Sequence, residues 1–293
     1  MVNYLKYRYA CAAFFMLLVV AGIGGYFYNV NRYGSAYNFS VDFTGGTQVL
    51  LKFAQPIGSD QIRSVLSQSG YSSAELREFG SNEVLVRVQN FDADVQGVGS
   101  KIASALQQEL KENSVEILGV NSVGSAVGDT LRWGAIKAII IALLLMLIYV
   151  AVRFQFAFSV GAVFALFHDA LVIAVFFLLT RQEVSIDVIG AILMVLGYSV
   201  NDTIVIFSRI RENIARMGGS SLSNIVNVSI NQTMSRTIRT SLSTALVVVS
   251  LLVFGGEMLR GLSITLLLGI IFGTYSSIFV ASPVMMYLYR GEK

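Results

Sequence analysis

The sequence predicts an α-helical polytopic membrane protein with six transmembrane helices and one α+β extracytoplasmic domain inserted between helices 1 and 2. Of the 293 residues, 55% are hydrophobic and only 13% are charged, and the mean hydropathy is +0.67. This composition excludes an ordinary soluble protein. Apolar runs with lengths suited to a bilayer, which needs about 20 residues per helix, recur along the chain. A mixed polar stretch, residues 31–132, separates the first run from the others.

The first apolar run extends from about Tyr9 to Tyr28 and follows Lys6 and Arg8. A signal peptide and a first spanning helix both have this pattern, but the apolar part of a signal peptide is usually only about 7–15 residues long. We therefore expect a retained helix with a cytoplasmic amino end, and we assign the N-terminal tail and helix 1 to residues 1–30. Cys11 lies in this run and, as the single cysteine, excludes an internal disulfide.

Residues 31–132 are predicted to fold outside the membrane as an α+β domain. Alternating apolar residues predict strands, and apolar residues spaced three or four apart predict helices. The order strand, helix, strand, strand, helix, strand is that of a split βαβ, ferredoxin-like sandwich. The predicted elements are a strand within Val41–Phe53 after Gly45 and Gly46, a helix at 59–69, a hairpin of 75–79 and 83–88 across Gly80, Ser81 and Asn82, a helix at 95–110 and a strand at 115–120.

The remainder, residues 133–293, is predicted to hold helices 2–6. Six spans place both termini on one side of the membrane. Lys and Arg are concentrated in the short loops and tails of that side, and this bias makes it cytoplasmic. The predicted spans are Trp133–Val152, Phe156–Leu179, Asp187–Phe207, Thr240–Phe254 and Leu262–Leu288. The basic residues of the cytoplasmic side are Lys6, Arg8, Arg153, Arg209, Arg211, Arg216, Arg290 and Lys293.

A cytoplasmic loop, residues 209–235, is expected between the fourth and fifth spans. Within it, Ser220 and Ser221 are candidate caps of a short helix. One interpretation is an amphipathic helix on the inner membrane surface, and the other is a loop helix with no special role. The apolar face of this helix would contain Leu222, Ile225, Val226 and Ile230.

Polar residues inside the fourth and fifth spans are the main functional candidates. Asn201 and Asp202 lie within an apolar run, where a central aspartate costs about 2.5–3.5 kcal/mol on insertion scales. An acid tolerated there is a functional hypothesis by default. The entrance to the fifth span carries a polar stripe at steps of three or four residues. Its members are Ser229, Thr233, Arg236, Thr240 and Ser243.

Asp202 and Arg236 lie at similar short distances from the cytoplasmic ends of their spans, so they can meet if the two helices pack together. One interpretation is a proton site whose state changes when the arginine moves. The other is a static buried ion pair that fixes helix register. Arg239 is a second candidate partner, but it also suits contacts with lipid headgroups, and Thr240 is a secondary candidate on the same stripe.

His168 and Asp169 lie near the middle of the third span. Such a protonatable pair suits a proton relay, since histidine titrates near neutral pH. The alternative is a pair of satisfied polar groups that hold helices together. With a single histidine, a protein-only zinc site is not expected. The sequence shows no nucleophile with its base, no phosphate loop and no metal-ligand spacing, so we expect neither an enzyme nor a cofactor.

Four segments resemble the SecD/SecF family of protein-export membrane proteins, which is related to the resistance-nodulation-division transporters. They are VDFTGG (Val41–Gly46), FHD (Phe167–Asp169), GYSVNDTIVIFSRIREN (Gly197–Asn213) and NQTMSRTIRTS (Asn231–Ser241), and the resemblance covers nearly the whole chain. The third segment is long and highly specific. Phe254–Pro283 adds a last span that is similar to that of the family.

This resemblance implies an accessory role at the Sec translocon, in which the proton gradient draws secreted chains outward without ATP in this subunit. It assigns Asp202 and Arg236 to the proton pathway. Asn201, His168 and Asp169 are further candidates for that pathway from their positions within the spans. It implies SecD, the SecYEG translocon, exported unfolded polypeptides and membrane lipids as partners, with YajC as a further candidate, and no nucleic acid. Two alternatives differ in class: half of a proton-coupled small-molecule exporter, and a non-transporting translocon scaffold.

Overall fold

The computed structural model describes residues 2–72, 74–79, 82–89, 95–110 and 113–289. The chain divides into two compact units, Met1–Asn38 with Ile136–Lys293, here called the membrane unit, and Phe39–Ala135, here called the external unit after its predicted location. Four residues that carried predictions lie outside the described part, namely Gly80 and Ser81 of the predicted hairpin turn and Arg290 and Lys293 of the predicted cytoplasmic tail.

The first half of the chain holds one spanning helix and the external elements. A 3-10 helix at Tyr4–Tyr7 leads into the chain. In order, the elements are α1 (Arg8–Tyr33), β1 (Asn38–Phe39), α2 (Val41–Thr44), β2 (Gly46–Phe53), α3 (Ser59–Gln68), β3 (Glu75–Phe79), β4 (Glu83–Val88), α4 (Val95–Glu109) and β5 (Val115–Val123).

The second half is almost entirely helical. Its elements are α5 (Ser125–Arg153), α6 (Phe156–Thr180), β6 (Glu183–Val184), α7 (Ile186–Arg216), α8 (Leu222–Phe254), a 3-10 turn at Glu257–Leu259, α9 (Arg260–Ser276), a π-helical turn at Ser277–Ala281 and α10 (Ser282–Leu288). The described part of the chain contains six helices that are long and apolar enough to cross a membrane, the sixth extending from Glu257 to Leu288.

The external unit is built on a four-stranded antiparallel sheet with the strand order β3-β4-β2-β5. The central strand pairs on both sides, so that Val49 lies opposite Val86 in β4 and opposite Val120 in β5. Alternate side chains of this strand point into the core, as expected for a sheet with one buried face. There they meet apolar residues of α3 and α4. The fully buried members include Leu51, Phe53, Ile62, Leu66, Ile102 and Leu106.

The strand expected within Val41–Phe53 begins only at Gly46, because the residues before it form a single helical turn. Ser40 caps that turn by accepting a hydrogen bond from the Asp42 N–H at 3.2 Å. Gly45 and Gly46 have φ values of +77° and +114°, which favour glycine. At Gly46 an added β-carbon would also lie 2.5 Å from the Val88 carbonyl oxygen, so both conformation and space require glycine.

In the membrane unit, α7 and α9 approach each other at positions with small residues. A β-carbon added at Gly269 would overlap the side chain of Val195, and one at Gly273 would lie 2.9 Å from the Ser199 β-carbon. Small residues permit such close approach of membrane helices. By contrast, α1, α5 and α8 present large apolar side chains at the surface of the isolated chain.

The separate loop helix expected within residues 209–235 is wrong. Helix α7 continues to Arg216 and α8 already begins at Leu222, as one helix of 33 residues. Ser221 does cap it, accepting a hydrogen bond from the Asn224 N–H at 3.3 Å. The segment is not a membrane-surface helix, because its apolar face is buried in the core of the helix bundle. Val226 and Ile230 are there fully buried in one cluster with Ile206, Phe207 and Ile210 of α7.

Candidate functional site

Asp202 lies on α7 and is almost completely buried, with 5% of its surface exposed. Its Oδ2 atom makes no hydrogen bond to any residue that the structure describes. Asn201, the preceding residue, is instead exposed on the outside of the bundle. The helix can carry an acid here because it is long, is capped at Ser185 and is otherwise apolar along the span. The site therefore presents a carboxyl oxygen with unused hydrogen-bonding capacity inside a membrane helix.

Two groups on α8 lie near enough to this carboxyl to influence it electrostatically, the Arg236 guanidinium and the Ser241 hydroxyl. Arg236 is exposed, and within the described residues no ion pair of 4 Å or less joins it to Asp202. The two residues predicted to meet are thus brought to opposing helices, within electrostatic range but not into contact. A Coulombic interaction does not require contact, because its energy falls only with the inverse of the separation.

The relative position of α7 and α8 is set near the C-terminal end of α7 and the N-terminal end of α8. Asn213 of α7 is 4% exposed and donates from Nδ2 to Ser229 Oγ at 2.8 Å and to Gln232 Oε1 at 2.9 Å. On its other side α8 is joined to α9 by a 2.7 Å hydrogen bond between Ser241 and Thr274. These side-chain bridges hold the helix that carries Arg236 between its two neighbours.

The two secondary candidates, Arg239 and Thr240, form hydrogen bonds with residues of their own helix, α8. Arg239 donates from Nε to the Ser235 carbonyl at 3.0 Å and from a terminal nitrogen to Ser235 Oγ at 2.7 Å. Thr240 donates to the carbonyls of Arg236 and Thr237 at 3.1 and 2.9 Å. Arg239 is therefore bound to Ser235 of its own helix, whereas Arg236 makes no ion pair of 4 Å or less among the described residues.

His168 and Asp169 form a second buried polar centre, on α6. Both side chains are fully buried, and His168 Nδ1 lies 3.2 Å from Asp169 Oδ1. Neighbouring helical side chains project about 100° apart, so this contact requires the two side chains to turn toward each other. Asp169 Oδ2 accepts hydrogen bonds from Ser199 of α7 at 2.5 Å and from Ser276 of α9 at 2.9 Å.

Several polar residues of these sites were not singled out from the sequence. Ser199, Thr203, Ser241 and Ser276 were not predicted as site residues. A usable signal was present, since small hydroxyl residues recur in apolar runs on the same faces as the titratable groups. What sequence could not supply is which hydroxyl of one helix meets which acid of another.

Comparison with known proteins decides the family. A family model described as protein export membrane protein SecD/SecF, C-terminal, matches residues 102–291, and a second, the SecD/SecF GG motif, matches residues 38–57. The chain belongs to the SecD/SecF family. The first match covers the spanning helices from α5 onward, and the second covers the capped turn and the glycine pair before β2.

Members of the SecD/SecF family resemble this chain over nearly its whole length. Protein translocase subunit SecF of Thermodesulfovibrio yellowstonii is 36% identical over 290 residues, which are 98% of this chain and 94% of the relative. The same subunit of Pseudomonas aeruginosa is 38% identical over 288 residues, 98% of this chain and 91% of the relative. The crystal structure of SecDF from Thermus thermophilus, a translocon-associated membrane protein, superposes with a TM-score of 0.83 at 34% identity. The match covers 97% of this chain but only 38% of the SecDF chain.

Proposed function

We propose that this chain is the SecF subunit of a SecDF complex that promotes protein export across the bacterial cytoplasmic membrane with energy from the proton-motive force. The observation that carries the proposal is Asp202, a buried carboxyl in a membrane helix with one oxygen unused and an arginine on the opposing helix. Buried intramembrane acids mark proton relays and ion pathways. The family membership supports the export role.

The proposed step is the binding and release of a proton at Asp202. When the carboxyl is ionised, it attracts Arg236 on α8. When it is protonated, its charge is lost and this attraction disappears. Arg236 makes no ion pair of 4 Å or less with Asp202 among the described residues, so the proposed response to ionisation is an approach of the guanidinium toward the carboxylate. Helix α8, held by hydrogen bonds on both flanks, would transmit the change to α7 and α9.

The energy available is sufficient for such a switch. One proton that crosses a potential of 100 mV supplies about 2.3 kcal/mol. Since 1.36 kcal/mol corresponds to a factor of about ten in an equilibrium constant, this energy shifts a two-state equilibrium more than tenfold. Each cycle of protonation can therefore bias one conformation of the helices over another.

SecD is the proposed partner in the membrane. Asn201 and Arg236 are exposed at the surface of the isolated chain although they lie next to the buried Asp202. A guanidinium facing hydrocarbon is costly, so a partner helix bundle that covers this surface is favoured over lipid. The exposed apolar faces of α1, α5 and α8 supply further area for SecD and for lipids. The SecYEG translocon, YajC and the exported polypeptide complete the proposed set of partners.

The proposed orientation has both termini in the cytoplasm and the external unit outside the membrane. The basic residues at the predicted cytoplasmic ends of the helices support it through the positive-inside rule. We further propose that the external unit, as the extracytoplasmic domain between helices 1 and 2, is a ferredoxin-like sandwich. The sheet order and the packing of two helices on one sheet face support this assignment.

The test is gradient-stimulated export by proteoliposomes that contain SecYEG, the ATPase that drives it and SecD with this chain. Asp202→Asn keeps the size and polarity of the side chain but cannot bind and release a proton, so stimulation by the proton gradient is expected to fall to the level without a gradient. Asp187→Asn, at an exposed acid near the start of the same helix, is the matched control and should behave as the wild type. Full stimulation in Asp202→Asn, with normal abundance and SecD association, would reject the proposal.

A further inference from the structure

Asp169 joins three helices of the membrane unit at one point. It projects from α6, and its Oδ2 accepts the hydroxyls of Ser199 on α7 and Ser276 on α9. Its other oxygen contacts His168 Nδ1. Asp169, His168 and Ser276 are fully buried, and Ser199 is 1% exposed. Both carboxyl oxygens are thus engaged, in contrast to Asp202, whose Oδ2 makes no hydrogen bond to a described residue.

The Asp169 centre is connected to the helical turn that carries Asp202. Ser199 lies one turn before Asp202 on α7, about 4.5 Å along the axis at 1.5 Å per residue. The Ser199 carbonyl accepts hydrogen bonds from Thr203, the residue directly after Asp202, and from Ser277, both at 3.4 Å. Thr203 and Ser277 also share a hydrogen bond of 2.8 Å between their hydroxyls. Residues on both sides of Asp202 are therefore tied into one network with Asp169.

The same network anchors an irregular part of the sixth span. A π-helical turn, Ser277–Ala281, begins directly after Ser276, the residue whose hydroxyl binds Asp169. Single π-turns inside helices are rare and frequently occur at functional sites. Ser282 donates to the Ser277 carbonyl at 3.1 Å, across the turn. Asp169 consequently fixes the point at which the sixth span changes its helical geometry.

The surroundings of His168 do not continue a proton path. Its Nε2 atom is buried and makes no hydrogen bond to a residue in the described part of the chain. The imidazole lies between two aromatic rings, Phe15 of α1 at 5.9 Å and Tyr275 of α9 at 5.8 Å between centroids. Tyr275 is the titratable group that faces it. The contacts of His168 beyond Asp169 are therefore aromatic packing rather than a chain of donors and acceptors.

We propose that Asp169 is a positioning residue that acts as the shared hydrogen-bond acceptor for α7 and α9, holding the Asp202 turn and the π-turn in register without itself carrying the transported proton. This inference rests on the proposed function of Asp202. Of the two interpretations open from the sequence for the His168–Asp169 pair, it adopts the one in which the pair holds helices together. In this arrangement the Asp169 hydrogen bonds hold the proton site, Asp202, on the neighbouring helix α7.

The decisive comparison is between two substitutions of Asp169 in the same proteoliposome assay. Asp169→Asn can still accept both serine hydroxyls through its amide oxygen and can donate to His168 from its amide nitrogen, but it cannot ionise. Asp169→Leu keeps the branching at Cγ but removes the acceptor, which leaves the buried Ser199 hydroxyl without its partner and leaves Ser276 only the Gly273 carbonyl at 3.1 Å. We expect Asp169→Asn to retain gradient stimulation within about twofold of the wild type and Asp169→Leu to lose about tenfold or more, in line with the effect of orphaned buried polar groups.

The pH profile of stimulated export separates positioning from general stability. Asp169→Asn should keep the wild-type midpoint, whereas Ser276→Ala, a milder change than Asp169→Leu, should shift the midpoint because the environment of Asp202 changes. Ser276→Ala still tests the inference if the Asp169→Leu variant fails to assemble. Abundance in the membrane and association with SecD are measured for every variant. An unchanged rate and midpoint in Ser276→Ala would overturn the inference.

Loss of stimulation in Asp169→Asn, with normal assembly, would also overturn it, because a residue that only positions others does not need to ionise. This failure is distinct from failure of the proposed function. Asp202→Asn is measured in parallel, and if that variant keeps full stimulation, the proton site itself is rejected whatever the Asp169 variants do.

Discussion

The side chain of Asn29, near the end of α1, donates a hydrogen bond of 2.7 Å to the main-chain carbonyl of Leu178 near the end of α6. The same amide donates to the Ala36 carbonyl at 3.0 Å, and the residue is only 4% exposed. Carbonyls in the last turn of a helix have no partner within that helix, so a side chain must satisfy them when water cannot. Asn29 thereby fastens the first spanning helix to the third.

Asn29→Ala is predicted to destabilise the protein by about 1–3 kcal/mol, because the Leu178 carbonyl loses a buried side-chain donor, whereas the Ala36 carbonyl keeps a hydrogen bond from Arg181 at 3.0 Å. The matched control is Asn31→Ala on the same helix, where the asparagine is exposed. Thermal unfolding of the purified chain in detergent measures both variants. Equal midpoints for the two would show that the Asn29 hydrogen bonds contribute nothing.

Gly269→Ala is predicted to disrupt the packing of α9 on α7, since the new methyl group would overlap Val195. Overpacking of a close contact typically costs about 1–3 kcal/mol. Gly190→Ala in α7 is the control, because an added β-carbon there meets no atom within 4 Å. The measurement is the fraction of each variant that remains folded and monodisperse in detergent on heating. Wild-type behaviour of Gly269→Ala would contradict the observed helix approach.

Gly46→Ala is predicted to destabilise the external unit by about 1–3 kcal/mol, the range for a non-glycine residue held in an unfavourable backbone region. The added methyl group would also press against the Val88 carbonyl on the neighbouring strand. Gly58→Ala provides the comparison, as no atom lies within 4 Å of its added β-carbon and its φ is −77°. Limited proteolysis of the full chain measures both variants. Cleavage between α1 and α5 should be faster in Gly46→Ala than in the wild type, and it should be unchanged in Gly58→Ala.

Arg236→Gln is predicted to abolish gradient-stimulated export, because the charge that interacts with Asp202 is removed while the helix is preserved. Arg239→Gln on the same helix should retain most of the stimulation, since Arg239 binds Ser235 instead of facing the acid. Export by proteoliposomes with SecD measures both, together with abundance in the membrane. A larger loss in Arg239→Gln than in Arg236→Gln would reverse the assignment.

Much of the architecture was predictable because it depends on local patterns. The hairpin strands Glu75–Phe79 and Glu83–Val88 and the start of the third span at Phe156 agree with the structure, since alternation and apolar length define them directly. The predicted helix boundaries were wrong where tertiary packing overrides local polarity. Residues 209–235 look like a polar loop, yet their apolar positions Val226 and Ile230 are buried against α7, so both helices continue into this region.

The sequence alone determined the membrane class, the number of spans, the candidate acids Asp202 and Asp169 and the resemblance to the SecD/SecF family, because composition, run length and motif letters carry that information. Only the tertiary structure decided that Asp202 keeps an unbonded oxygen near Arg236 while Asp169 has both oxygens engaged. The physical reason is that a carboxyl group's environment is made by other helices. The pairing of a hydroxyl of α7 or α9 with a given acid depends on how the helices are rotated and on their close approach at Gly269 and Gly273. Residue spacing along one helix specifies neither the rotation nor the approach.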